Sequence, residues 1–123
     1  MKQVLLVFLG GGIGSALRFL VSKSFNPLFK NFFLGTYISN IIGCLIIGLL
    51  LGLFAKGKVL SENQMILLVT GFCGGFTTFS TFAYEKYSLL KSGELLYFSI
   101  YLSTSLIAGI LAVSLGIWVS RLF

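Results

Sequence analysis

The chain holds no histidine and no aspartate, and its three acidic residues, Glu62, Glu85 and Glu94, all read as lying at the ends of apolar runs or between them. General acid or base chemistry lacks its usual groups, so an enzyme is the least favoured reading. The polar residues that demand an account are instead single side chains inside long apolar stretches. Asn40 stands near the middle of one such stretch, with Thr36 four residues earlier on the same helical face and Gly43 three residues later keeping that face thin. Inside a bilayer a polar side chain needs a partner, a wet path or a task. Asn40 therefore either fixes helix packing through an interhelical hydrogen bond or presents a donor to a solute path.

A second cluster is the run Gly71-Phe72-Cys73-Gly74-Gly75-Phe76-Thr77-Thr78-Phe79-Ser80-Thr81-Phe82. Glycine lowers helix stability in a span and threonine hydroxyls compete for backbone groups, so a helix break is expected at Gly74-Gly75. Broken backbone at membrane depth is tolerated only where it is buried in protein or lines a cavity. Freed carbonyls there are suited to a hard cation such as Na⁺. Beyond the break Thr77, Ser80, Thr81 and Tyr84 share one face, and Phe76, Phe79 and Phe82 lie towards the other. Phe76 reads as packing; the positive ring edges of Phe79 and Phe82, beside hydroxyls, can contact an anion without the grip of a full charge.

The elements that carry these residues are membrane spans. Of 123 residues, 57% are hydrophobic and 10% charged, a balance that takes the chain out of the soluble class. Four continuous apolar runs, about Val4 to Val21, Phe32 to Phe54, Gln64 to Tyr84 and Leu95 to Val119, can each cross a hydrocarbon core of about 30 Å as a helix. They lack the alternation of a transmembrane barrel. Residues 1–123 thus read as a single all-α, four-span integral membrane domain in the cell membrane, with its first helix retained. On the fourth run Tyr97, Tyr101, Thr104, Ser105, Ala108, Ala112 and Gly116 fall in one sector at about 100° per residue, a small and polar face.

The formal charge of +6 comes from residues spaced singly at helix ends, the pattern of lipid-headgroup anchors rather than of a nucleic-acid surface. Lys2, Lys56, Lys58 and Arg121 fall on the side of the termini, against Arg18, Lys23, Lys30, Lys86 and Lys91 on the other, four against five. So even a count suits a chain that inserts in both orientations and pairs head-to-tail. Gly10/Gly14, Gly48/Gly52 and Gly71/Gly75 have the spacing of close helix packing. Arg18 reads as an interfacial anchor or a helix-end cap. Cys44 and Cys73, both within spans, act as small side chains, and the glycines at 10 to 14 make no dinucleotide fingerprint because Ser15 stands where its third glycine is needed.

Taken in order, Gly11-Gly12-Ile13-Gly14-Ser15-Ala16-Leu17-Arg18, Gly35-Thr36 through Asn40-Ile41-Ile42-Gly43, and the run from Gly71 to Phe82 resemble the Fluc (CrcB-type) family of small fluoride channels over nearly the whole chain. The resemblance implies a dual-topology antiparallel homodimer with two narrow pores, each built from both subunits and passing fluoride out of the cell down its gradient. It implies a pore-facing donor in Asn40, ring edges towards the ion in Phe79 and Phe82, and a structural Na⁺ at the dimer centre on the carbonyls of Gly74 and Thr77. A hydroxyl track on the fourth helix corresponds to Tyr101 and Ser105, with Gly109 one turn on where some members carry a hydroxyl. Thr36, Ser80 and Thr81 complete the candidate path, and Arg18 matches an arginine near its entrance. The rival is a small multidrug-type proton-coupled antiporter. Its mechanism needs a membrane-embedded acid, which the sequence pattern denies this chain. A non-conducting assembly protein is a further alternative.

Overall fold

The computed structural model describes residues 1–57 and 59–123, so Lys58, counted above with the charges on the side of the termini, lies outside the described residues. Four helical segments are long and apolar enough to cross a membrane: Lys2–Leu28, Leu34–Ala55, Glu62–Lys91 and Leu95–Ser120. The apolar runs dictate this, since in lipid each backbone group must be paired within the segment, and a helix does that locally. No strand occurs among the described residues.

Helix α1 (Lys2–Phe25) runs into a 3-10 turn at Asn26–Leu28, where Pro27 supplies no amide to continue the α pattern. Asn26 then turns back. Its Oδ1 accepts from the amides of Gly35 at 2.7 Å and Thr36 at 3.3 Å, capping α2 (Leu34–Ala55) across the turn. After α2 the backbone reverses at Gly57, whose φ of +71° is open to glycine at little cost. Ser61 and Gln64 then form a capping box at the start of α3 (Glu62–Met65).

The third segment is irregular. Short α3 leads into a π-helical stretch at Ile66–Cys73 and a brief α4 (Gly74–Phe76); helical conformation resumes at α5 (Ser80–Lys91). Thr77 is extended, with φ −88° and ψ 160°. Gly74 and Gly75, expected to be the point of departure, keep helical backbone, and the chain leaves the helix at Thr77 instead. A short turn with Gly93 at φ +73° leads to α6 (Leu95–Ser120).

The part of the third segment before Thr77 packs on α1, and α2 packs along α6. After the interruption the chain crosses over, so that α5 packs on α6. Small residues make both close contacts. A Cβ on Gly14 would strike the Phe72 carbonyl, and one on Gly48 would strike the carbonyl of Val113. The glycine spacings thus serve packing within the chain. A hydrophobic cluster gathers Phe82, Leu89 and Tyr101 with Phe32, Phe33 and Tyr37, close to the start of α2.

Candidate functional site

The interruption at 77–79 is held by side chains that replace the lost helical bonds. In an unbroken helix the Thr78 amide would donate to the Gly74 carbonyl. Here it donates to Asn40 Oδ1 at 2.8 Å, while Asn40 Nδ2 donates to the Thr78 carbonyl at 3.1 Å. One amide side chain on α2 therefore closes on both backbone groups of one residue. Thr77 bonds back onto Cys73, its amide and its hydroxyl each donating to that carbonyl at 2.9 Å. The Thr78 hydroxyl accepts from the Thr81 amide at 3.2 Å and so caps α5.

Arg18 and Ser15, on α1, both donate to the Gly75 carbonyl, Arg18 Nε at 3.0 Å and Ser15 Oγ at 3.4 Å. Of the two roles read from the sequence, helix-end capping is the one Arg18 performs. The carbonyls of Gly74 and Thr77 receive no hydrogen bond among the described residues. Two hard oxygen donors are left over at the interruption, a donor type that fits Na⁺.

A cavity of about 290 Å³ opens beside the interruption, lined by Asn40, Thr77, Phe79, Phe82 and Ser105 among others. Five sequence candidates, Asn40, Thr77, Phe79, Phe82 and Ser105, meet there although they come from three segments. Among the described residues no charged side chain lines it. Its polar side chains are the Asn40 amide and the hydroxyls of Thr77, Thr78 and Ser105, with Phe79 and Phe82 on the same wall. Asn40 nitrogen keeps one N–H beyond the bond to Thr78, and Ser105 Oγ is buried without a hydrogen-bond partner. Phe79 and Phe82 sit 6.3 Å apart at a tilt of 40°, with Phe79 81% exposed and Phe82 buried. Cys44 adds a thiol to the wall. Phe76, by contrast, is buried and stacked on Phe72 at 5.6 Å, a packing residue.

The remaining candidates lie elsewhere. Ser80 is exposed and Thr81 half-buried on α5, and neither lines the cavity. Thr36 and Tyr101 meet one level further along, on a residue that the sequence reading had placed outside the membrane domain's interior. Glu85 is only 3% exposed: Thr36 Oγ1 donates to its Oε1 at 2.5 Å, and the Tyr101 hydroxyl donates to its Oε2 at 2.8 Å. The assignment of all three glutamates to span ends or loops is thus corrected for Glu85. The helix continues through Tyr84 to Lys91, and this carries Glu85 into the bundle against α2 and α6. Its neighbour Lys86, read as an interfacial anchor, is also buried at 6% exposure. The one signal for either was spacing: Glu85 lies three residues beyond Phe82, on its face of α5. On α6, Tyr101, Ala112 and Gly116 are buried as the polar face predicts, whereas Tyr97 and Thr104 are exposed and Thr104 bonds back to the Ile100 carbonyl at 2.7 Å.

Fold and site together define a multi-pass membrane protein with a small, mainly apolar cavity that carries a few neutral polar groups, set against an interrupted helix. Residues 5–117 match the family model described as CrcB-like protein, Camphor Resistance (CrcB), and the chain belongs to that family. It is 44% identical over 124 residues to a protein of Azobacteroides pseudotrichonymphae named "Fluoride-specific ion channel FluC", with 100% of this chain and 99% of the relative covered. Proteins of the same name from Phocaeicola vulgatus and Gloeothece citriformis are each 46% identical over 122 residues, covering 98% of this chain and 100% and 98% of their own lengths.

Proposed function

We propose that this chain is the subunit of a fluoride-selective channel of the cell membrane that releases fluoride passively. The observation that carries the reading is end-to-end similarity to proteins named fluoride-specific ion channels, joined to a cavity whose polar groups are all neutral. Fluoride is compact and gives up water reluctantly, so its path must offer many hydrogen-bond donors and no charge that would trap it. An amide N–H from Asn40, the Ser105 hydroxyl and the ring edges of Phe79 and Phe82 meet that requirement. Tyr101, Thr36, Ser80 and Thr81 would extend the path, and Arg18 would fix the helix end beside it.

The working unit in this proposal is an antiparallel homodimer of dual topology with two pores. Two features support it: Phe79 is 81% exposed at the rim of the cavity it lines, and the basic residues divide almost evenly between the two sides. The interruption would lie near the bilayer midplane, since residues 77–79 stand at the middle of the Glu62–Lys91 segment. The unpaired carbonyls of Gly74 and Thr77 would hold Na⁺ at the centre of the dimer. When bound, that ion supplies fixed positive charge to a region of unpaired oxygens.

Buried Glu85 is the one feature that favours a proton-coupled antiporter. Both of its oxygens, however, are already engaged by hydroxyls of the same chain. Electrical dependence of transport separates the two. Proteoliposomes loaded with potassium fluoride should release fluoride only when valinomycin lets potassium follow, at a rate independent of an imposed pH gradient. Release driven by the pH gradient without valinomycin would establish the antiporter.

A further inference from the structure

Lys86 is the only buried cationic side chain among the described residues, at 6% exposure, and its ammonium has no hydrogen-bond partner among them. Three N–H donors are thus without acceptors inside a membrane bundle, a costly arrangement for a full charge. Glu85 does not serve it. That carboxylate receives Thr36 on one oxygen and Tyr101 on the other, and no ion pair joins it to Lys86. What faces the ammonium is aromatic: its Nζ lies 2.8 Å from the ring centre of Tyr101 and 4.6 Å from that of Phe82. Phe82 also lines the cavity.

A cation resting on a ring draws the ring's electron density to itself and leaves the edge more positive. A buried positive charge in a medium of low dielectric also attracts a mobile anion nearby more strongly than it would in water, and the neighbouring Glu85 carboxylate, committed to Thr36 and Tyr101, offsets that charge only in part. Both effects reach the cavity that Phe82 lines, and Lys86 itself is not among the lining residues, so the anion is attracted without being gripped.

We propose that Lys86 is the anion-recruiting residue of this chain: an ammonium set behind Phe82 and Tyr101 that raises the occupancy of small inorganic anions, fluoride first, in the adjoining cavity. The inference rests on the channel reading and extends it by naming the group that sets apparent affinity. A purely structural cation-π contact is the competing account, and it predicts altered stability with unaltered affinity.

The test compares wild type, Lys86→Gln and Lys86→Arg in planar bilayers or proteoliposomes, measuring fluoride current or efflux across a range of fluoride activities. In Lys86→Gln the half-saturating fluoride should rise about tenfold, the lower range for charge focusing in a cleft, with the rate at saturating fluoride retained. Lys86→Arg should restore the wild-type value. Equal half-saturation in wild type and Lys86→Gln overturns the proposal, as does a glutamine variant that reaches the wild-type dimer elution volume yet stays inactive at all fluoride activities. Absence of fluoride current in wild type itself would instead refute the channel reading.

Discussion

Replacing Asn40 by alanine tests how much of the site hangs on one side chain. The substitution removes two hydrogen bonds, one from the Thr78 amide to Oδ1 at 2.8 Å and one from Nδ2 to the Thr78 carbonyl at 3.1 Å. Were both backbone groups left unpaired, the cost at about 1–3 kcal/mol each would reach roughly 2–6 kcal/mol. The chain has a cheaper response, because the orphaned Thr78 amide faces a vacant helical partner in the Gly74 carbonyl. Closing that turn recovers one bond and leaves a net loss of about 1–3 kcal/mol. It also straightens the segment and dismantles the cavity wall at Thr77. The expected result is therefore a modest fall in stability with a large fall in transport: a barrier raised by as little as ~1.4 kcal/mol slows flux about tenfold. Fluoride efflux from proteoliposomes is followed with an ion electrode, beside thermal unfolding and elution volume in detergent. Efflux within twofold of wild type at unchanged elution would refute the reasoning, since neither the donor nor the interruption would then matter.

Four further outcomes follow. Thr36→Val and Tyr101→Phe each strip one donor from buried Glu85 and should lower stability by about 1.5–3 kcal/mol, as hydrogen bonds to a charged group do, read from denaturation in detergent; the double variant should lose more than either alone. Gly14→Leu and Gly48→Leu force side chains into the carbonyls of Phe72 and Val113 and should abolish recovery of folded protein, judged by size-exclusion profile. Arg18→Gln leaves the Gly75 carbonyl only the 3.4 Å bond from Ser15 and, by removing a charge-assisted bond, should cost about 1.5–3 kcal/mol in stability, with Arg18→Lys only partly restoring it, because a lysine lacks the Nε position that makes the 3.0 Å bond. Purification with N-methylglucamine in place of sodium should reduce fluoride efflux, and returning sodium should restore it, if the Gly74 and Thr77 carbonyls hold the cation.

Much of the fold is legible in the sequence because membrane helices depend on length and polarity, which single residues do not mask. The ends of the apolar runs fall within a few residues of the helical segments for the second and fourth spans. The third differs. Its apolar run stops at Tyr84, where Glu85 and Lys86 read as an interface, yet the helix continues and packs those residues inward. Their burial depends on Thr36 and Tyr101, far away in sequence, arriving at the same carboxylate, and no local pattern reports that. The interruption likewise lies two to three residues beyond its expected place. Helix propensity points to Gly74-Gly75, but Gly75 is small because it lies against Gly11 of α1. The departure at Thr77 is decided by hydroxyls that bond back and by Asn40, whose partner is backbone and therefore invisible in residue types. Asn40 stands out as a polar side chain inside a span, whereas the roles expected of Phe79, Phe82 and Ser105 come from the family resemblance and not from a local pattern; the structure brings all four to one cavity.

Ion discrimination tests the central claim most directly. Purified protein is reconstituted in liposomes loaded with equal concentrations of potassium fluoride and potassium chloride, valinomycin is added, and both anions are followed outside with ion-selective electrodes. A neutral path built from amide, hydroxyl and ring edges predicts rapid loss of fluoride with chloride retained. Chloride leaving at the rate of fluoride, or fluoride remaining inside, would contradict it.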